Sequence, residues 1–223
     1  MIYNIAIDGP AGAGKSTIAK RVAKNLGFIY VDTGAMYRAM AVYFLDKGID
    51  VNDEYAVSRD CDNVNIMIEY KDNLQQVILN GENITSRLRT EEVGNTASAV
   101  AVYPAVRKKL VELQKELAKK TSVVMDGRDI GSCVLKDAVC KIYLTASVEC
   151  RALRRMAELQ EKGVDTSLEI IKADISDRDY RDMHRDVSPL IQAEDAVYLD
   201  SSDMGIEEVT DKIISIFNEK AGK

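Results

Sequence analysis

The sequence predicts an α/β fold, a three-layer α/β/α sandwich on about five parallel strands with a small antiparallel insertion. Three observations carry this. An apolar run, Ile5-Ala6-Ile7, feeds a glycine-rich turn that opens into a helical pattern. Short apolar runs and amphipathic stretches then alternate at the spacing of βαβ units, which require a parallel sheet. The alternation breaks over residues of about 49–89, where short segments of period two replace it.

The turn Gly9-Pro10-Ala11-Gly12-Ala13-Gly14-Lys15-Ser16-Thr17 matches G-x-x-x-x-G-K-[ST], the phosphate-cradling P-loop. Glycines let backbone N–H groups turn inward and approach phosphate oxygens. The helix that follows aims its free N–H groups and positive dipole end at the same anion. Lys15 supplies a point charge for the β- and γ-phosphates, and the Ser16 hydroxyl can ligate Mg²⁺. A chance glycine turn would lack the flanking strand and helix. Here Ile18, Val22 and Leu26 fall on one helical stripe with Ala19 and Ala23 beside it. Residues 9–17 are therefore expected to bind a nucleoside triphosphate, but the motif does not name a reaction.

Phe28-Ile29-Tyr30-Val31 predicts a second strand, ending at Asp32-Thr33-Gly34. Met36, Tyr37, Met40, Ala41 and Phe44 then recur at helical spacing until Gly48. In the insertion, residues 64–70, 75–79 and 83–85 read as short strands, the last two joined by a tight Asn80-Gly81 turn. Pro104 opens the next long helix, which carries Val106, Leu110, Leu113 and Leu117. Residues 122–126 return to the parallel sheet and 139–144 add another strand. Two polar, arginine-bearing helices are expected at about 148–162 and 168–183. A strand at 196–199 and an amphipathic helix bearing Val209, Ile213, Ile214 and Phe217 close the fold.

At 223 residues the chain fits one globular unit with room for a small insertion. A net charge of −6 argues against broad nucleic-acid or anionic-membrane binding. The N-terminus lacks a charged n-region, and Asp8 and Gly9 interrupt its apolar stretch, unlike a signal peptide. No stretch approaches the ~18 uninterrupted apolar residues of a membrane span. Cys61, Cys133, Cys140 and Cys150 form no C-x-x-C pair and read as reduced thiols. The expectation is a cytoplasmic protein and, without a large exposed apolar stripe, a monomer.

Phosphoryl transfer needs charge neutralisation, alignment and water exclusion more than covalent help. Arginines near the carboxyl ends of strands are the candidates, because ligands of α/β proteins sit there. Arg38 lies one turn after the second strand, and Arg128 directly follows Asp126-Gly127, with Asp129 beside it. Arg151, Arg154, Arg155, Arg178, Arg181 and Arg185 populate the two later helices. A plain solvated face suits Arg181, whereas the strand-end positions of Arg38 and Arg128 favour function. Asp126 suits a carboxylate near Mg²⁺, directly or through a water, its rival role being a helix cap. His184, the only histidine, sits among charges and is given no catalytic role. An alcohol acceptor needs a base, but a phosphomonoester is already mostly dianionic at pH 7, its second pKa lying near ~6. Many arginines and no obvious base fit a phosphate acceptor, although Asp32 or Asp129 can still serve as a base.

Four motifs resemble those of bacterial cytidylate kinases. They are residues 8–17, Asp32-Thr33-Gly34-Ala35-Met36-Tyr37-Arg38, Asp126-Gly127-Arg128-Asp129-Ile130-Gly131, and a late set. The late set is Asp177-Arg178-Asp179 with Asp182, Arg185, Pro189-Leu190, Ala193-Glu194-Asp195-Ala196 and Asp200. The resemblance spans nearly the whole chain. It implies Mg²⁺-dependent transfer of the ATP γ-phosphoryl group to CMP or dCMP. It also implies that Lys15, Arg128, Arg185 and Arg154 or Arg155 form the catalytic set, with Ser16 and Asp126 at the metal. Arg38, Arg128 and Arg185 would hold the acceptor phosphate in a pocket lined by Thr33 and Tyr37. Ser98, Arg107 and Asp129 would read the cytosine edge, and Arg178 and Asp182 would contact the pentose. The insertion would enlarge the nucleoside-monophosphate-binding region, and residues of about 151–164 would form a mobile lid on a core of 1–48, 90–150 and 190–223.

The base-reading set makes chemical sense, because cytosine offers an amino donor beside a ring-nitrogen acceptor and a carbonyl. Uracil would set a carbonyl against Asp129 and be penalised. Ser132-Cys133 departs from the family's more usual Thr-Val, and Met183-His184 lies inside the late motif; neither touches an assigned position. The rivals are a kinase for uridylate, thymidylate or a phosphorylated metabolite, and a regulatory nucleotide switch. The switch would commonly carry an N-K-x-D-like segment at a strand end, which this chain lacks.

Overall fold

β1 (Asn4–Asp8) is the middle strand of a five-stranded sheet, and its Ile5, Ala6 and Ile7 are fully buried. A parallel strand covered on both faces reads as a continuous apolar run instead of an alternating one. The computed structural model describes residues 1–71, 74–161 and 163–223. The strand order is β2 (Ile29–Asp32), β6 (Val123–Gly127), β1, β7 (Cys140–Thr145), β8 (Val197–Asp200). β1 runs parallel to β6 with Ile7 opposite Asp126 and Asp8 opposite Gly127, and parallel to β7 with Asp8 opposite Tyr143. The glycine-rich turn and the Asp126-Gly127 strand end thus leave the sheet side by side, at the kind of strand-order reversal where α/β proteins bind ligands.

The chain folds as two compact units, Met1–Tyr30 with Thr121–Lys223, and Val31–Lys120. In the first, α1 (Lys15–Leu26) packs with α8 (Ile206–Ala221) over a core that includes Ile5, Ile7, Val22, Ile142, Leu144 and Phe217. The Phe217 ring meets Tyr3 and Phe28 edge-on at centroid distances of 5.6 and 5.5 Å. Gly27 ends α1 in the left-handed conformation at φ 68°, as a C-cap glycine does. α6 (Val148–Glu161) and α7 (Leu168–His184) share a smaller core of Ala152, Ile171 and Ile175.

In the second unit α2 (Thr33–Asp46) is buried nearly all round, from Ala39 through Phe44, as its almost wholly apolar sequence requires. It packs on β4 (Leu74–Leu79), α4 (Glu91–Val100) and α5 (Pro104–Lys120). β3 (Ile66–Lys71), β4 and β5 (Glu82–Asn83) form the antiparallel sheet. Asn80 and Gly81 turn at φ 48° and 89°, the two positive values that a type I′ hairpin demands.

The five parallel strands and the small antiparallel sheet match the expected class. Within 49–89 the structure adds α3 (Glu54–Cys61), capped by Asp53 accepting from the Ala56 N–H. The expected strand at 83–85 stops after Asn83 and continues as a 3₁₀ turn, Thr85–Arg87, because the Thr85 hydroxyl takes the Val77 N–H that a ladder partner would otherwise bond. A single π turn, Ile130–Val134, follows β6. Lys162, where the first arginine-bearing helix was expected to end and part of the expected lid, lies outside the described residues, as do Asp72 and Asn73 of the insertion. All four cysteines are free, with Cys61 and Cys140 buried. Among the described residues, no helix is long and apolar enough to cross a membrane. Truncating the aromatic cluster by Phe217→Ala is expected to lower the unfolding free energy by about 3–5 kcal/mol, measured by urea denaturation.

Candidate active site

Gly9 sits at φ 150°, and a Cβ there would lie 1.9 Å from the Leu144 carbonyl oxygen of β7, so only glycine fits. Gly12 and Gly14 turn the loop through φ 74° and 81°. These three torsions bring Lys15 to the buried start of α1, where its Nζ donates to the Pro10 carbonyl at 2.6 Å. Burial drives the Lys15 pKa well below its ordinary value; the charges of Arg128 and Arg178 push it further, while Asp126 and Asp182 oppose them. Ser16 Oγ donates to Asp126 Oδ2 at 2.7 Å, and Tyr30 donates to the other oxygen at 2.9 Å. Asp126 thereby joins the start of α1 and Tyr30 of β2 to the end of β6.

Asp8, the residue before the loop, is buried and accepts the N–H groups of Ile130 and Gly131 at 2.8 and 2.7 Å. It thereby ties the end of β1 to the segment carrying Arg128 and Asp129. Burial pushes its carboxyl up to about 6, against the lowering effect of those two N–H groups.

A charge network continues from there. Arg128 Nε donates to Asp182 Oδ2 at 2.7 Å. Arg185 lies 3.8 Å from Asp182 Oδ1 and 3.6 Å from the buried Asp129, and its Nε donates to the Ser188 carbonyl at 2.7 Å. Burial would raise the Asp182 pKa, but Arg128, Arg178 and Arg185 together hold it below the usual carboxylate value. Arg178 itself is exposed. Of the two α6 arginines expected near the phosphates, Arg154 lies beside the loop, its Nη1 3.9 Å from the place of a Cβ on Gly14, and it donates to the Ser201 carbonyl at 2.8 Å. Arg155 is exposed and pairs with Glu158 at 3.1 Å, so this structure brings it to no phosphate-loop residue.

The Val31–Lys120 unit holds the remaining sequence-predicted residues. Asp32 caps α2 by accepting from the Ala35 N–H at 2.9 Å, and its other oxygen accepts from Arg38 at 2.9 Å and from Arg89 at 3.0 Å. A carboxylate so occupied orients guanidinium groups and is poorly placed to act as a free base. Thr33 is buried at the first turn, Ser98 is partly exposed on α4, and Arg107 is buried. The Arg107 guanidinium stacks over Tyr37 at 5.7 Å and donates to the Ala101 carbonyl at 3.1 Å. His184 is exposed and stacked on Tyr180.

The structure thus gathers Lys15, Ser16, Asp126, Arg128, Asp129, Asp182 and Arg185 in one unit, and Thr33, Tyr37, Arg38, Ser98 and Arg107 in the other. Sequence reasoning missed Asp8, Tyr30 and Arg89 as site residues. An acid immediately before the P-loop glycine was a usable signal for Asp8; Tyr30 and Arg89 belong to no motif of their own.

A family model described as cytidylate kinase matches residues 5–219. A relative from Lactobacillus johnsonii, named cytidylate kinase, is 48% identical over 98% of this chain and 95% of its own length. One from Bacillus cereus with the same name is 50% identical over 96% and 95%. Among solved structures, a gluconokinase from Sinorhizobium meliloti aligns at a TM-score of 0.50 and 12% identity, covering 99% of this chain and 94% of that one, a likeness of fold alone.

The raised carboxyl of Asp8 has a pH signature. Its protonated form stabilises the fold below the ordinary value of 3.8, and that contribution is lost as pH rises through about 6. Between pH 4 and pH 7 the parent is therefore expected to lose up to about 3 kcal/mol of unfolding free energy relative to Asp8→Asn, measured by urea denaturation at both pH values.

Proposed function

The chain belongs to the cytidylate kinase family, and we propose that it transfers the γ-phosphoryl group of ATP to CMP or dCMP, giving ADP and CDP or dCDP. The observation that carries this is the cluster of cations beside the phosphate loop, where Arg128 and Arg185 converge on Asp182. Cations this close repel unless anions lie among them. Asp126 and Asp182 supply part of that charge, and phosphate groups on donor and acceptor would supply the rest.

In this reading an oxygen of the acceptor phosphate attacks the γ-phosphorus in line as the bond to the β,γ-bridging oxygen breaks. The acceptor is a dianion, so no residue has to remove a proton. Lys15 and the loop N–H groups hold the β- and γ-phosphates. Arg128 and Arg185 hold the acceptor phosphate, kept in position by their shared partner Asp182. From the Val31–Lys120 unit we assign Arg38 to the acceptor phosphate, with Thr33 and Tyr37 beside it. Ser98 and Arg107, with Asp129, are assigned to the cytosine edge, and Arg178 with Asp182 to the pentose. Residues of about 151–164 are assigned to a lid, with Arg154 as its phosphate contact.

Ser16 Oγ and Asp126 Oδ2 present two hard oxygens 2.7 Å apart, which suits Mg²⁺. Among the described residues no group of three or more His, Cys, Asp or Glu side chains forms a metal cage, so water and phosphate would complete the shell. Bound there, the ion would neutralise charge on the β- and γ-phosphates. Tyr30 fixes the Asp126 carboxylate for that purpose. We further take the protein to work as a cytoplasmic monomer on small nucleotides, in keeping with its net charge of −6.

The test is ADP release from ATP and Mg²⁺ with CMP, dCMP, UMP, AMP or dTMP offered singly. Fast turnover is expected with CMP and dCMP alone. Asp129→Ala should lower kcat/KM for CMP about a hundredfold while leaving the KM for ATP within about twofold. Equal turnover with UMP would overturn the base-reading assignment, and slow hydrolysis indifferent to every acceptor would overturn the kinase assignment.

A further inference from the structure

The arm of the phosphate loop at residues 10–12 precedes the helix and cannot be held by helical hydrogen bonds. Its central residue, Ala11, is nevertheless satisfied on both sides by side chains distant in sequence. The Ala11 N–H donates to Asp179 Oδ1 at 3.1 Å, and its carbonyl accepts from Arg151 Nη1 at 2.8 Å. The same Nη1 donates to Asp179 Oδ2 at 2.6 Å, and Arg151 Nε donates to the Ala146 carbonyl at 2.8 Å. The Arg151 and Asp179 side chains are only 5% and 11% exposed. A Cβ on Gly12 would crowd Arg151 Cβ at 3.3 Å, so the loop rests closely on α6.

Burying an ion pair costs desolvation that an apolar pair of equal size would avoid, so its presence asks for a role beyond stability. The geometry supplies one. We propose that Arg151 and Asp179 are positioning residues that hold the 10–12 arm of the phosphate loop in its ATP-binding shape and tie that shape to α6 and α7. Lys15 now donates to the Pro10 carbonyl and must leave it to reach a phosphate. When it leaves, the clamp on Ala11 keeps the arm from collapsing into the vacated space. Arg151 is then the fixed end of the segment assigned to the lid, and Arg154, one turn further along α6, is carried by the same anchor. This inference rests on the reading of the loop as an ATP site and is independent of which acceptor is used.

Equilibrium ATP binding, measured by calorimetry without acceptor, separates a positioning role from a purely structural one. Arg151→Lys keeps the charge but loses the fork that spans three carbonyl and carboxylate partners. It is expected to weaken ATP binding about tenfold and raise the KM for ATP in proportion, with the KM for CMP within about twofold and the melting temperature little changed. Asp179→Asn should show the same split. ATP affinity unchanged in a folded variant would overturn the proposal, as would equal loss for both substrates accompanied by a large fall in melting temperature. Amide hydrogen exchange on the unmodified protein decides the matter if either variant fails to fold. The Ala11 N–H should be protected like the strand amides of β1 in the absence of ATP, and exchange at the rate of an open loop would overturn the clamp. Failure of CMP as an acceptor together with Arg151-dependent ATP binding would sink the proposed acceptor while leaving this inference intact.

Discussion

A buried ammonium at the head of the glycine-rich loop is the constraint on which the rest of the site depends. Lys15 is taken out of water at the start of α1, and neighbouring arginines add to the cost of its charge. An isolated charge in that position would shed its proton or stay at the surface. Carboxylates that are themselves held in place offset part of that cost. Asp126 is fixed by Ser16 and Tyr30, and Asp182 by Arg128 and Arg185. The result is a network in which paired charges hold one another in place before any ligand arrives.

Preorganisation of this kind needs rigid backbone as well as paired charges. Asp8 joins the end of β1 to the turn after β6, and Gly9 closes against the β7 carbonyl of Leu144. Gly131 completes the contact, since a Cβ there would stand 3.2 Å from Lys141 Cδ and 3.4 Å from Asp8 Oδ2. Lys141 is buried in turn and paired with Asp195 at 2.8 Å. Three adjacent strands therefore share one close-packed edge, and the loop that leaves it inherits their stiffness. The Arg151–Asp179 pair extends the same logic to the part of the loop that the sheet does not reach.

Much of this was legible in the sequence because it rests on local rules. A glycine pattern between an apolar run and an amphipathic stripe specifies a phosphate loop through torsions that only glycine adopts readily. Asn80-Gly81 specifies its hairpin in the same way, and Pro104 opens a helix by its fixed φ. Two helices escaped because their signals are weak. α3 buries only Val57 and Cys61, and α4 turns inward a face of Val93, Thr96, Ala97 and Val100, mostly small residues with little periodic contrast. Their caps, Asp53 and Thr90, were present but carry conviction only beside a clear apolar stripe.

By itself the sequence determined the sheet class, the loop and its lysine, and the identities of the charged residues at the strand ends, since each depends on residue type within a few positions. Tertiary structure alone decided which charge meets which. Asp32 lies 57 positions from Arg89, Arg128 lies 54 from Asp182, and Ala11 lies 140 from Arg151. Arg154 and Arg155 are neighbours of one residue type, yet the first lies beside the phosphate loop and the second pairs with Glu158 at the surface. Successive side chains on a helix point about 100° apart, so adjacency in the chain leaves open which of two arginines faces inward until the helix is packed.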